Sequence, residues 1–186
     1  MFTRRKREAG FTLIELAIVL AAFSALAAIA VPGINTFIRA QQARNAARVV
    51  ERTLQNARLK AVTTSHALRV RFSCPQAGQL RILELTGVAA TDTATNRCDP
   101  TAFPFPGPID ALRSTPSLDS DVIRLPPGAA VTGNPPTLEF SPKGTVFAVA
   151  SGGAVTPLTV DATWTVTTGT YVFTVTTNGM GRVRLN

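Results

Sequence analysis

Hydrophobic and polar positions divide the 186-residue chain into stretches of different period. Residues 11–31 form a run of 21 with a single charged side chain, Glu15. As a helix rising about 1.5 Å per residue, such a run measures roughly 30 Å, the thickness of a bilayer's hydrocarbon core. Residues 34–65 contain neither Pro nor Gly. Apolar or small residues recur there at Ile34, Phe37, Ile38, Ala43, Ala46, Ala47, Val50, Leu54, Ala57 and Ala61. That spacing predicts a helix with an apolar stripe. The two stretches together predict one long helix, with Pro32 as the place where it would bend.

Beyond residue 65 the period falls to two. Ala67-Leu68-Arg69-Val70-Arg71-Phe72 alternates, as does Gln79-Leu80-Arg81-Ile82-Leu83-Glu84-Leu85, and Gln76-Ala77-Gly78 between them reads as a hairpin turn. Further strands are predicted at 122–125, 138–140, 146–150, 158–167 and 171–176, with a turn at Thr168-Gly169. In the 158–167 segment, Val160, Ala162, Trp164 and Val166 alternate with polar residues. Residues 86–120 have no strong period and are rich in proline. The expected fold class is α+β: a long N-terminal helix, its first half transmembrane, on a β-rich head. No internal repeat or second head domain is evident.

Three readings of the N-terminus compete. A secretory signal peptide has a basic start, an apolar core of 7–15 residues and a small-residue cleavage site. Ala25-Leu26-Ala27 and Ala28-Ile29-Ala30 supply such sites, but the apolar run is too long and Glu15 fits poorly. A plain transmembrane anchor, with Arg4, Arg5, Lys6 and Arg7 kept in the cytoplasm, fits the length. It leaves Glu15 unexplained, because an unpartnered carboxylate in hydrocarbon costs several kcal/mol.

The third reading accounts for the carboxylate. Gly10-Phe11-Thr12-Leu13-Ile14-Glu15 resembles the type IV prepilin motif. The resemblance implies that a prepilin peptidase cuts between Gly10 and Phe11 and methylates the new amino terminus. It also implies that Glu15 pairs with a neighbouring subunit's N-terminal amine during assembly, and that Pro32 is the family's helix-bending proline. The chain would then comprise a leader at 1–10, a transmembrane or filament-core segment at 11–33, an amphipathic half-helix at 34–65 and a periplasmic head at 66–186. The layout is pilin-like. The implied partners are other pilins or pseudopilins, the peptidase and the inner membrane, with the finished protein in a pilus or pseudopilus. The alternative for Glu15 is a carboxylate snorkelling to the membrane surface.

A head outside the cytoplasm changes what the two cysteines imply. Cys74 and Cys98 are the only ones in the chain. In an oxidising compartment a disulfide between them would tie the irregular 86–120 segment to the first strand. Closing a loop of about two dozen residues stabilises by roughly 3 kcal/mol.

Formal charge is +8. Without residues 1–10, which hold four basic residues and one acidic, 15 basic and 10 acidic side chains remain. This permits an anionic partner without demanding one. Arg44, Arg48 and Arg52 lie four apart on one helix face, as a solvated stripe or as a contact for filament neighbours or an acidic ligand. Near the C-terminus, Arg182 and Arg184 of Gly181-Arg182-Val183-Arg184 would share one face of a strand, about 7 Å apart. Gly179 and Gly181 would leave backbone uncovered for the approach of an extended anion. The tail and the helix-then-strands layout resemble the GspH/FimT group of minor pilins and pseudopilins. In the FimT branch such a tail is associated with DNA binding during uptake, which the resemblance would assign to Arg182 and Arg184. The alternatives are two solvated arginines on a terminal strand, and a GspH-like pseudopilin of a type II secretion system that acts only through protein contacts.

No catalytic motif is present: there is no Gly-x-Ser-x-Gly, phosphate loop or His-Glu-x-x-His. The expectation is a protein that is not an enzyme and needs no cofactor or metal. His66, the single histidine, is expected to face solvent at the helix end. Asp119 and Asp121 flank a serine and offer a minimal calcium candidate without a full ligand set.

Overall fold

The computed structural model describes residues 12–107, 115–151 and 153–186, and of residues 29–33 the backbone alone. The chain divides into two units, Met1–Ile38 and Arg39–Asn186. A single helix, α1 (Leu13–Thr64), contributes to both. Its start is fixed by Thr12 as N-cap, and it ends at Ser65, whose φ of 56° departs from the helical region.

In the first unit the apolar side chains of the helix are exposed, among them Leu13, Ile14, Leu16, Phe23 and Leu26. Ile34, Phe37 and Ile38 are exposed as well. The buried stripe therefore starts later than the apolar spacing suggested. Ala43, Ala46, Ala47, Val50, Leu54, Ala57 and Ala61 all have zero exposure. All but Ala43 belong to one core cluster with strand residues of the second unit. Five of the seven are alanines, whose small side chains allow helix and sheet backbones to approach closely.

The strands are β1 (Leu68–Phe72), β2 (Gln79–Glu84), β3 (Ile123–Arg124), β4 (Ala129–Asn134), β5 (Thr137–Phe140), β6 (Val146–Val149), β7 (Val155–Pro157), β8 (Ala162–Thr168), β9 (Tyr171–Thr177) and β10 (Val183–Leu185). A four-residue helix, α2 (Ala89–Asp92), interrupts the long irregular segment. Six strands form one sheet in the order β3-β2-β1-β5-β6-β7, and four form a second in the order β10-β9-β8-β4. All pairings are antiparallel. The class is α+β, as expected.

Alternation sends Leu68, Val70 and Phe72 of β1 inward, opposite Glu84, Ile82 and Leu80 of β2. In the second sheet Trp164, Val166 and Val175 point inward. Trp164 is fully buried, stacks on Phe72 of the other sheet at 5.0 Å between ring centroids, and donates its indole N–H to the Pro135 carbonyl at 3.2 Å. These contacts join the two sheets.

Two strand expectations need correction. Residues 158–161 are not part of β8, which starts at Ala162, and Val160 is 76% exposed instead of facing the core. Strands β4 and β7 were not expected. Gly133 lies opposite Trp164, and a Cβ there would collide with the indole and with the Thr163 carbonyl. The glycine is what allows the tryptophan to sit in the sheet.

Candidate functional site

At the N-terminus, Gly10 and Phe11 lie outside the described residues, and so does any junction between them. The first described turn forms a capping box. Thr12 donates its backbone N–H (2.8 Å) and its hydroxyl (2.9 Å) to Glu15 Oε2, and Glu15 N–H donates back to Thr12 Oγ1 at 3.3 Å. Glu15 is thus held at the exposed start of the helix by a residue that the sequence reading had passed over. The signal was available: Thr-x-x-Glu ahead of an apolar run is a helix start. At Pro32 the backbone is helical, so the expected bending position is embedded in α1, while its side chain lies outside the described residues. Among the described residues no helix is long and apolar enough to cross a membrane.

The C-terminal tail is a tight loop followed by a short edge strand. Asn178 organises it. Its side-chain oxygen accepts from the N–H groups of Met180 (3.2 Å) and Arg182 (2.9 Å), and its carbonyl accepts from Gly181 N–H at 2.8 Å. Arg182 precedes β10 and lies in this loop, while Arg184 is within the strand; both side chains are exposed. The glycines do not leave backbone open, contrary to the expectation from sequence. A Cβ at Gly179 would strike the Leu158 carbonyl, and one at Gly181, where φ is +75°, would strike the Arg58 side chain. Arg58 in turn donates to the Gly144 carbonyl at 3.3 Å. Both glycines are covered because the loop closes against the inter-sheet crossing and the helix.

Residues 5–31 match the model of the prokaryotic N-terminal methylation motif. The match includes Gly10, Phe11 and Glu15. No curated protein matches the chain in sequence. Among solved structures, the type IV minor pilin FimU of Pseudomonas aeruginosa aligns at 15% identity, over 81% of this chain and 92% of its own, with a TM-score of 0.49. The minor pseudopilin EpsH of the Vibrio cholerae type 2 secretion system aligns at 18% identity, over 78% and 96%, with a TM-score of 0.43.

The remaining candidates resolve into structural roles. Cys74 and Cys98 form a disulfide with 5.2 Å between Cα atoms. His66 does not simply face solvent: its Nδ1 lies 3.7 Å from Glu84 Oε1, and its side chain is 30% exposed. Asp119 is not available to a cation, because it is 1% exposed and fully engaged. Its two oxygens accept from Arg97 at 2.5 and 2.9 Å, and Oδ1 also accepts from Glu84 N–H at 2.7 Å. Asp121 caps its own neighbour, Val122 N–H, at 2.7 Å. Among the described residues no group of three or more His, Cys, Asp or Glu is placed to hold a metal. Arg44, Arg48 and Arg52 are all exposed on the helix.

What sequence reasoning missed is a buried ionic network under the irregular segment. Arg81 has no exposed surface. It donates to the carbonyls of Ser120, Arg97, Asp99 and Phe103, and lies 3.8 Å from Asp119. Burial pulls Arg81 below its ordinary value, and Asp119 pushes it back up. Arg97, 2% exposed, adds a bond to the Glu84 carbonyl at 2.7 Å and stacks over Phe103 at 4.5 Å. The Glu84 carboxylate accepts from the N–H groups of Ser117 and Leu118 at 2.7 and 2.8 Å. Buried charges persist only when paired and hydrogen-bonded in this manner. The network and the disulfide together hold the described parts of 86–120 against β1 and β2.

Proposed function

We propose that the chain is a minor pilin or pseudopilin. It is made as a precursor, cut by a prepilin peptidase between Gly10 and Phe11, methylated at Phe11 and assembled with other pilins or pseudopilins into a filament. Before assembly the 11–33 segment holds it in the bacterial inner membrane, with the head in the periplasm. It has no enzymatic role. The observation that carries this reading is the methylation motif over residues 5–31, which runs into the start of a 52-residue helix. The membrane segment rests on the apolar run in the sequence alone; among the described residues no helix is long and apolar enough to cross a membrane. Glu15 stands at the first turn, where exchanging its bonds to Thr12 for a neighbour's ammonium keeps the carboxylate satisfied. The test is Gly10→Val, which places a branched side chain at the cut. The precursor should stay about ten residues longer than the processed parent in cells that hold the peptidase. A variant that still shortens would overturn the proposal.

For the finer function, we read the tail as a weak, sequence-independent DNA contact. The support is that Arg182 and Arg184 are both exposed and neither has a carboxylate partner among the described residues. A second reading, assembly through protein contacts alone as in a secretion pseudopilin, is favoured by the covered glycines, which give the tail a packing role. Salt dependence separates the two. Duplex binding should fall with a log–log slope of about −0.9 per phosphate neutralised, and replacing both arginines with alanine should remove about two units of slope. If the parent does not bind, or the double variant binds equally, the assembly reading stands.

A further inference from the structure

The outer face of β1 carries two arginines in different electrostatic circumstances. Arg69 lies opposite Glu139 of β5 and pairs with it at 2.9 Å. Arg71, two residues on, lies opposite Thr137 on one side and Arg81 on the other. Its one hydrogen-bond partner among the described residues is the sulfur of Cys98 at 3.7 Å, a weak acceptor. Burial, together with Arg69 and Arg97 nearby, pulls Arg71 below its ordinary value. The surrounding carboxylates are committed elsewhere. Glu139 serves Arg69, Asp119 serves Arg97, and Asp92 accepts from Thr86 N–H, Thr86 Oγ1 and Gly87 N–H. A partly buried guanidinium is thus left with its fork uncompensated.

Arg71 opens into a groove of about 770 Å³, floored by β1 and β5 and walled by residues 85–93 on one side and by the β6–β7 hairpin on the other. Its apolar shoulders include Leu85, Val149 and Val155, the last 42% exposed, and all three residues of edge strand β7 are exposed. The volume is that of a ligand pocket.

We propose that this groove binds the carboxylate of an aspartate or glutamate carried on an extended segment of a partner protein, with Arg71 as the anchor. An ionised carboxylate supplies the planar two-oxygen partner that a guanidinium fork accepts, and the shoulders take the apolar residues on either side of it. Charge complementarity selects the acid, and the volume of the groove with its apolar shoulders selects a peptide over a lone small anion. The site is separate from the tail and does not depend on whether the filament serves a pilus or secretion.

The test uses the full chain in nonionic detergent micelles. Two terminally blocked pentapeptides of threonine and valine are titrated, one with a central aspartate and one with a central asparagine, while the Arg71 Nε–H resonance of the parent and, in the parent and every variant, the backbone amide resonances of Thr137 and Gly153 are followed. The aspartate peptide should saturate and bind at least tenfold tighter than the asparagine peptide. Arg71→Gln should abolish that preference, Arg71→Lys should keep a weaker one, and Arg184→Ala should leave it unchanged. Equal binding of the two peptides to the parent overturns the proposal, as does a preference that survives Arg71→Gln. Sodium acetate that shifts the resonance as effectively as the aspartate peptide overturns the peptide assignment in favour of a small carboxylate. If Arg71→Gln fails to fold, the peptide pair on the parent chain decides the matter.

Discussion

Asp119→Ala should be the most damaging single truncation in the irregular segment. The substitution removes both carboxylate acceptors of Arg97 and the acceptor of Glu84 N–H, and it withdraws the one carboxylate within 4 Å of Arg81 among the described residues. Arg97 is 2% exposed and Arg81 has no exposure, so neither guanidinium can recover water without moving the loop. Breaking a buried ion pair from one side costs about 3–5 kcal/mol. Against a total stability of roughly 5–15 kcal/mol, that is about a fifth or more. With an m value of roughly 2 kcal/mol/M in urea, the midpoint should fall by about 1.5–2.5 M. Asp119→Asn keeps one acceptor oxygen and should fall in between. Asp121→Ala, which loses one bond to its own neighbour at the surface, should shift the midpoint by no more than about 0.3 M. Pulse proteolysis over a urea series, with the disulfide intact, reads all three variants. Coincident midpoints for Asp119→Ala and Asp121→Ala would show that the buried network does not form.

Further outcomes follow from the other sites. Gly181→Ala introduces a Cβ into the Arg58 side chain at a φ of +75° and should cost about 1–3 kcal/mol, part of it recovered in Gly181→Ala/Arg58→Ala; an unchanged urea midpoint would refute the covered-glycine geometry. Cys98→Ser removes the 24-residue cross-link and should cost roughly 3 kcal/mol, and thiol titration of the denatured, non-reduced parent should find no reactive thiol. Glu15→Ala should be processed and retained in the membrane, because the change makes the segment more apolar, yet it should enter filaments poorly; normal incorporation in a shear fraction would remove the assembly role.

The parts of this molecule that were legible in the sequence are those where one period governs. The alanine stripe from Ala43 to Ala61 and the β1–β2 hairpin follow directly from spacing. Legibility failed where a residue answers to a partner far along the chain. Gly133 has no evident role in a strand until Trp164 is placed opposite it. Arg81 and Leu83 occupy the outward positions of β2, which a two-sheet head would ordinarily leave to solvent, yet both are buried, Arg81 beneath the carbonyls of Arg97, Asp99, Phe103 and Ser120. Nothing local in Arg97 or Asp119 announces that they will meet. At the tail, the arginines were correctly expected at the surface, but the glycines ahead of them were assigned to a ligand's approach when their neighbours are Leu158 and Arg58.

The placement of Trp164 has a practical result. It is the chain's one tryptophan, and it stands where the two sheets meet, with its ring on Phe72 and its N–H on the Pro135 carbonyl. Its fluorescence therefore comes from a single dry environment in the second unit, and no tryptophan elsewhere dilutes the signal. Emission should be blue-shifted in the native protein and move red as the sheets part. Detergent exchange or docking of the first unit should leave it silent, so the chain carries its own optical gauge of whether the head has remained intact.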